Sequence, residues 1–124
     1  MKRILIIEDD PLTAQIYRGC LEKSGYEVEV ATDAQSGFDR LSQFRPEGLL
    51  LDLMLPNVSG TDLLKKIRAT AGFENLPVIG FTNAFVPGIV EQMKAAGAFQ
   101  VFDKATLTPT VLTAAFQSAL RAKG

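Results

Sequence analysis

Five polar side chains that can take part in chemistry follow short apolar runs along the chain. Glu8 and Asp9 come directly after the first run, and Asp52 follows three consecutive leucines. Thr82 closes a later apolar run, and Lys104 lies just beyond another. Phosphoryl transfer uses carboxylates, hydroxyls and ammonium groups, because a carboxylate oxygen can attack phosphorus while cations neutralise the phosphoryl oxygens. This chemistry requires a fold that brings the five side chains together.

The residue types that are missing exclude other chemistry. The sequence has no histidine, which excludes histidine acid–base catalysis, histidine metal ligands and a phosphohistidine carried by this chain. Its single cysteine, Cys20, has no partner for an internal disulfide, so nothing indicates an oxidising compartment. The position of Cys20 in a helical pattern predicts a small buried apolar residue.

The composition predicts one soluble domain. The 13 basic and 14 acidic residues nearly cancel, which argues against direct nucleic-acid binding. No apolar stretch approaches the length of a membrane span. A chain of 124 residues that is 47% hydrophobic is expected to form a single domain over residues 1–124, without an output domain, in the cytoplasm.

Apolar runs alternate with helical patterns, which predicts five strand–helix units. The predicted strands are residues 3–7, 26–31, 49–53, 76–82 and 99–102. Helix starts are marked by capping residues or prolines, as at Asp10, Asp33 and Pro87. Such alternation favours a parallel sheet, and one topological switch gives the strand order 2-1-3-4-5. The predicted fold class is therefore α/β, a flavodoxin-like (βα)5 sheet with helices on both faces.

The first predicted helix carries an apolar stripe. Leu12, Ile16 and Cys20 are spaced four residues apart, with Tyr17 and Leu21 beside them. This spacing predicts that the stripe packs against the sheet.

The predicted strand order brings the acids together. Strands one and three are neighbours in it, so Glu8, Asp9 and Asp52 are expected to meet at the carboxyl edge of the sheet. Carboxylates this close raise one another's pKa unless a cation relieves the repulsion. Two cations are candidates: Mg²⁺, which prefers oxygen ligands, and the ammonium of Lys104. Thr82 ends strand four at the same edge and supplies a hydroxyl.

With these residues in place, the chain resembles, over its whole length, a receiver domain of bacterial two-component response regulators, including the chemotaxis regulators. The matching motifs are Ile4-Leu5-Ile6-Ile7-Glu8-Asp9-Asp10-Pro11, Leu51-Asp52-Leu53-Met54-Leu55-Pro56 with Ser59-Gly60, Phe81-Thr82, Ala95-Ala96-Gly97-Ala98, and Lys104. The spacing from Asp9 to Asp52, Thr82 and Lys104 fits the family as well.

The resemblance implies a role for each matched residue. Asp52 would be the phosphoacceptor, and together with Glu8, Asp9 and the backbone carbonyl of Met54 it would hold Mg²⁺. Thr82 and Lys104 would contact the phosphoryl group. The phosphodonor would be a phosphohistidine on a histidine kinase or histidine phosphotransfer protein.

The resemblance also implies how the signal leaves the domain. The phosphorylated state would alter contacts with a downstream protein, or with an output domain missing from this chain. The surface involved would be formed by the fourth helix, the fifth strand and the last helix, through which a homodimer is also expected. The chain would thus be a signalling phosphoacceptor whose only catalysis is its own phosphorylation and dephosphorylation.

Three positions depart from the family pattern. Asn83 replaces the usual small residue after the threonine, which predicts crowding at the phosphoryl site. Ala105 replaces the usual proline after the lysine, which predicts a trans peptide bond in that loop. Val101 replaces the usual aromatic residue three positions before the lysine, which moves with phosphorylation in the family.

Two other functions stay open on the sequence alone. The three departures would suit a receiver-fold scaffold that acts without phosphorylation. A Mg²⁺-dependent phosphatase would use Asp52 as its nucleophile, but such enzymes commonly have a second acid two residues later, where this chain has Met54.

Overall fold

The computed structural model describes residues 2–123, which form five parallel strands, one small hairpin and five helices. In chain order the elements are β1 (Arg3–Ile7), α1 (Pro11–Lys23), β2 (Glu27–Ala31), α2 (Ala34–Phe44), β3 (Gly48–Asp52), β4 (Met54–Leu55), β5 (Val58–Ser59), α3 (Gly60–Arg68), β6 (Val78–Thr82), α4 (Pro87–Ala95), β7 (Gln100–Asp103) and α5 (Pro109–Lys123). The five-stranded sheet has the order β2-β1-β3-β6-β7. Counted within this sheet the order is 2-1-3-4-5, so the predicted flavodoxin-like topology is confirmed.

The sheet is covered on both faces, as predicted. On one face α2, α3 and α4 pack through residues such as Leu41, Leu64 and Met93. On the other face α1 and α5 pack through Leu21 and Phe116. Within the described residues no helix has the length and apolar character needed to span a membrane.

The central strand β3 is buried along its whole length. Its Leu50 pairs with Ile6 of β1 on one side and with Ile79 of β6 on the other. The predicted strand, residues 49–53, is shifted by one residue from the observed strand, which runs from Gly48 to Asp52. Leu53 N–H still donates to Phe81 O at 3.0 Å, but the Leu53 carbonyl accepts from Gly60 N–H at 2.9 Å, so the pairing of β3 ends before Leu53. Asp52 is therefore the last residue of β3.

The loop after β3 contains a hairpin that the sequence analysis did not predict. β4 and β5 pair antiparallel, with Met54 opposite Ser59. The turn between them contains Pro56 and Asn57, and Asn57 has a left-handed φ of 68°. Proline followed by asparagine suits a type II turn, where the third residue needs a positive φ. The hairpin holds the chain against the end of β3, beside Asp52.

The predicted apolar stripe of α1 is wrong for two of its members. Leu12 and Ile16 are 70% and 57% exposed. The helix is instead buried through Ala14, Tyr17 and Leu21. These residues are spaced three and four apart, so they form an equally regular helical face that is turned away from the one predicted.

Candidate functional site

The carboxyl edge of the sheet collects the predicted site residues from four strands. Glu8 follows β1, Asp52 ends β3, Thr82 ends β6 and Lys104 follows β7. The strands are in register, so that Asp52 pairs with Phe81 on β6. Parallel strands present their carboxyl ends at one edge. The predicted meeting of Glu8, Asp52 and Lys104 is confirmed, and Thr82 ends its strand at the same edge.

Lys104 links the two buried acids of the site. Its Nζ donates to Glu8 Oε1 at 2.6 Å and to Asp52 Oδ2 at 3.2 Å. The ammonium also lies 4.7 Å from the centre of the Phe81 ring, a cation–π contact. Burial lowers the pKa of Lys104, but the hydrogen bond with Glu8 and the charge of Asp52 outweigh burial, and the net pKa is raised. The lysine therefore stays charged.

Asp52 is only 2% exposed and has protein partners for both oxygens. Its Oδ2 accepts from Lys104, and its Oδ1 accepts from Met54 N–H at 3.0 Å. The backbone donor comes from β4, so the unpredicted hairpin orients the carboxylate. Two donors on a buried carboxylate hold it in one orientation.

Glu8 is fully buried, and its pKa is raised to about 7. Burial is the largest cause, and the neighbouring Asp52 carboxyl adds to it, while the hydrogen bond from Lys104 opposes both. Glu8 Oε2 also accepts from Asp10 N–H at 3.3 Å, across the turn into α1. The expectation that crowded acids raise one another's pKa is confirmed at this residue.

Glu8, Asp9 and Asp52 form a group that could hold a metal ion. Each offers a carboxylate oxygen, and the three oxygens lie within 4.8 Å of one another. Asp9 is exposed while the other two are buried, so the group opens to solvent on one side. Carboxylates with access to water are the donor set that Mg²⁺ prefers. Met54, whose carbonyl is the fourth predicted ligand, lies two residues beyond Asp52 with its side chain 56% exposed.

Thr82 is fully buried at the end of β6, where its hydroxyl oxygen accepts from Ala84 N–H at 3.0 Å. Since that bond uses the oxygen as acceptor, the hydroxyl still has a proton to donate. Asn83 lies between these two residues, is exposed and lines the same cavity as Asp52.

Val101 does not line the cavity. It is 6% exposed and belongs to the core on the α2–α3–α4 face of the sheet, opposite Gly80 of β6. The Lys104–Ala105 peptide bond is trans, as the alanine predicted.

An open cavity of about 570 Å³ is lined by the three acids, Met54, Asn83 and Lys104. The buried Thr82 is not among its lining residues. Asp10, Thr13, Ile16 and Tyr17 also line this cavity, although the sequence predicts only a helix cap at Asp10 and an apolar helix face for Ile16 and Tyr17. α1 begins at the carboxyl edge, so its first two turns border the site; only that position in the predicted fold could have indicated them.

Comparisons with known proteins agree with this architecture. Residues 4–117 match the sequence-family model of the response regulator receiver domain. The chain is 29% identical over 108 residues to the polar-differentiation response regulator DivK of Brucella anthropi, covering 87% of this chain and 88% of DivK. It is 34% identical over 80 residues to the response regulator MprA of Mycobacterium avium, covering 64% of this chain but only 34% of MprA. A CheY-like receiver domain protein of Methanospirillum hungatei superposes with a TM-score of 0.90 at 29% identity, covering 98% and 95% of the two chains.

Proposed function

This chain belongs to the response regulator receiver domain family, and we propose on that basis that it is the phosphoacceptor of a two-component system, with Asp52 as the acceptor. The observation that carries the proposal is the position of Asp52. It is a buried carboxylate at the floor of an open cavity, with an ammonium 3.2 Å away. A carboxylate whose only role is to stabilise the fold would not need to be reachable from solvent.

In the proposed reaction an Asp52 oxygen attacks the phosphorus of a phosphohistidine on a partner protein. The new P–O bond forms as the P–N bond breaks, and the bonding electron pair leaves with the imidazole nitrogen. The product is an acyl phosphate on Asp52 and a free histidine on the partner. Since this chain has no histidine, the phosphohistidine lies outside these 124 residues.

The cationic and hydroxyl groups of the site stabilise this transfer. Lys104 lies against the acceptor oxygen and neutralises the phosphoryl oxygens as charge spreads over them. Thr82 donates its hydroxyl proton to a phosphoryl oxygen. Glu8, Asp9, Asp52 and the Met54 carbonyl would hold Mg²⁺, which when bound neutralises charge shared by the carboxylate and the phosphoryl group.

The proposal is tested by incubating the chain with Mg²⁺ and acetyl phosphate and measuring its intact mass. Wild type should gain one phosphoryl group, and Asp52→Asn should gain none. Asp39→Asn is the matched control, because Asp39 is an exposed acid on α2 away from the cavity. An unchanged wild-type mass, or an adduct that persists in Asp52→Asn, would overturn the proposal.

We propose further that the phosphorylated state is read on the face formed by α4, β7 and α5. Exposed apolar side chains lie on or beside these elements, including Phe85, Val86, Phe99 and Val111. They suit contact with a downstream protein or a second copy of the chain. Amide chemical shifts that change on this face after phosphorylation would support this role, and changes confined to the cavity would contradict it.

A receiver-fold scaffold is the second candidate function, and the burial of Val101 favours it. A valine packed in the core has no aromatic ring to move between inner and outer positions. This candidate predicts that Asp52→Asn leaves partner binding unchanged, whereas the phosphoacceptor function predicts that partner binding no longer responds to phosphodonor.

A further inference from the structure

Tyr17 lies between the core and the cavity. It is 8% exposed, and its ring packs edge-to-face on Phe81 at 5.2 Å between ring centres. The same residue lines the cavity that contains Asp52 and Lys104. One end of the side chain is therefore held in the apolar core while the rest borders the site.

The hydroxyl of Tyr17 has no protein partner among the described residues. None of the hydrogen bonds within residues 2–123 involves this hydroxyl. Every fully buried side-chain nitrogen or oxygen in these residues has a hydrogen-bond partner, so an unpaired hydroxyl cannot be fully buried. The hydroxyl oxygen is therefore not fully buried, and Tyr17 lines the cavity that contains Asp52 and Lys104. Buried tyrosines normally pair their hydroxyl, so a partner is expected from whatever occupies that space.

The buried carboxylates of the site are already supplied with donors. Asp52 accepts hydrogen bonds from Met54 N–H and from the Lys104 ammonium. Glu8 accepts hydrogen bonds from the same ammonium and from Asp10 N–H. Burial raises the pKa of Tyr17, so its hydroxyl keeps its proton and remains a donor at neutral pH. A protonated phenol beside a cation suits an anionic oxygen.

Phe81 fixes the tyrosine and the lysine to one wall of the cavity. Its ring contacts Tyr17 at 5.2 Å and Lys104 Nζ at 4.7 Å. The phenol and the ammonium are thus supported by the same rigid side chain. Both residues line the cavity that contains Asp52.

We infer that the Tyr17 hydroxyl donates a hydrogen bond to an oxygen of the phosphoryl group on Asp52, beside the oxygen contact made by Lys104. This inference rests on the proposed function, and it makes Tyr17 an additional phosphoryl-binding residue. A hydrogen bond to a charged oxygen contributes enough that its loss weakens binding about tenfold.

The test uses beryllofluoride with Mg²⁺, which mimics the phosphoryl group on an aspartate. Fluorine NMR follows the three bound fluorines, and a titration gives the affinity. Tyr17→Phe should bind about tenfold more weakly, with the resonance of one fluorine shifted. Tyr26→Phe is the matched control, because Tyr26 borders a different cavity with Lys2 and Gln117. It should match wild type in both readings.

Each outcome decides the inference. Unchanged affinity in Tyr17→Phe overturns it while leaving the phosphoacceptor function standing, because wild type still binds. Weaker binding with all three fluorine resonances unshifted also overturns it, since the ring then acts only through packing. If wild type itself binds no beryllofluoride, the proposed function fails together with the inference.

A measurement on wild type removes any dependence on the variant's folding. The Cζ carbon of each tyrosine is labelled with ¹³C, and its chemical shift reports hydrogen bonding by the hydroxyl. Beryllofluoride should shift Tyr17 Cζ and leave Tyr26 Cζ in place. An unmoved Tyr17 resonance in the bound protein would contradict the contact.

Discussion

Lys104 lies closer to Glu8 than to the proposed acceptor, with Nζ 2.6 Å from Glu8 Oε1 and 3.2 Å from Asp52 Oδ2. Glu8 is also one of the three acids that could hold a metal ion. The same carboxylate therefore pairs with the ammonium here and would ligate a cation when one is bound. We expect a bound cation to weaken the hold of Glu8 on Lys104 and to leave the ammonium available to the phosphoryl group.

Replacing Lys104 should destabilise the protein. Lys104→Met leaves Glu8 and Asp52 buried without their cation, and removing one member of a buried ion pair costs about 3–5 kcal/mol. Because the Lys104 side chain is still 13% exposed, we expect a smaller loss of about 2 kcal/mol at pH 8. The loss should shrink at pH 5.5, where Glu8 is protonated.

Urea unfolding at the two pH values measures this effect. Lys94→Met is the control, since Lys94 is an exposed lysine of α4. Equal losses for the two variants would show that the ion pair contributes nothing.

The raised pKa of Glu8 predicts a specific pH dependence of stability. Its pKa is about 7 in the folded protein and has an ordinary value of 4.5. Between these values the folded state binds more protons than the unfolded state, so stability falls as pH rises. The contribution is fully present below pH 4.5 and is lost as pH rises through 7.

The comparison of wild type with Glu8→Gln isolates this group. In chelator, without Mg²⁺, the free energy of unfolding of wild type should fall relative to the variant between pH 5 and pH 8. A difference that stays constant over this interval would mean that the pKa of Glu8 is not raised.

Magnesium should stabilise the protein more at high pH than at low pH. A ligand that binds only the folded state at ten times its dissociation constant adds about 1.4 kcal/mol. Protonated Glu8 competes with the metal, so the gain should diminish at pH 5.5. Asp9→Asn should abolish it and Asp39→Asn should retain it. Equal stabilisation of both variants would place the metal elsewhere.

The orientation of α1 predicts which of its apolar residues carry stability. Leu12→Ser and Ile16→Ser should each change the free energy of unfolding by less than about 0.5 kcal/mol, because both side chains are largely exposed. Leu21→Ala should cost about 2–5 kcal/mol, because Leu21 is fully buried. A large loss in Ile16→Ser would instead support the apolar stripe predicted from the sequence.

The buried face of α1 could not be predicted from the sequence. Leu12 and Ile16 follow a helical spacing, but so do Ala14, Tyr17 and Leu21, and hydrophobicity favours the first set. Only the path of the chain after β1 decides which face meets the sheet. The spacing likewise predicts an apolar environment for Tyr17, which its ring has through contact with Phe81, but it does not show that Tyr17 also lines the cavity.

The acids and the lysine could be placed from sequence because their positions follow from topology alone. A residue at the carboxyl end of a parallel strand lies at that edge whatever the details of packing, which is why Glu8, Asp52 and Lys104 meet as predicted. The hairpin after Asp52 was missed because strands of two residues are too short to show a periodic pattern.

Gly60 holds the hairpin and α3 against the end of β3, and replacing it should disturb the site. A Cβ on Gly60 would lie 2.6 Å from the Cα of Leu53 and 3.1 Å from the carbonyl oxygen of Asp52. Backbone atoms cannot yield as a flexible side chain can, so Gly60→Ala should cost about 1–3 kcal/mol. Gly88→Ala on α4 is the matched control, since nothing lies within 4 Å of its Cβ, and it should be neutral or stabilising. If Gly60→Ala is as stable as Gly88→Ala and accepts a phosphoryl group equally fast, the close approach does not position Asp52.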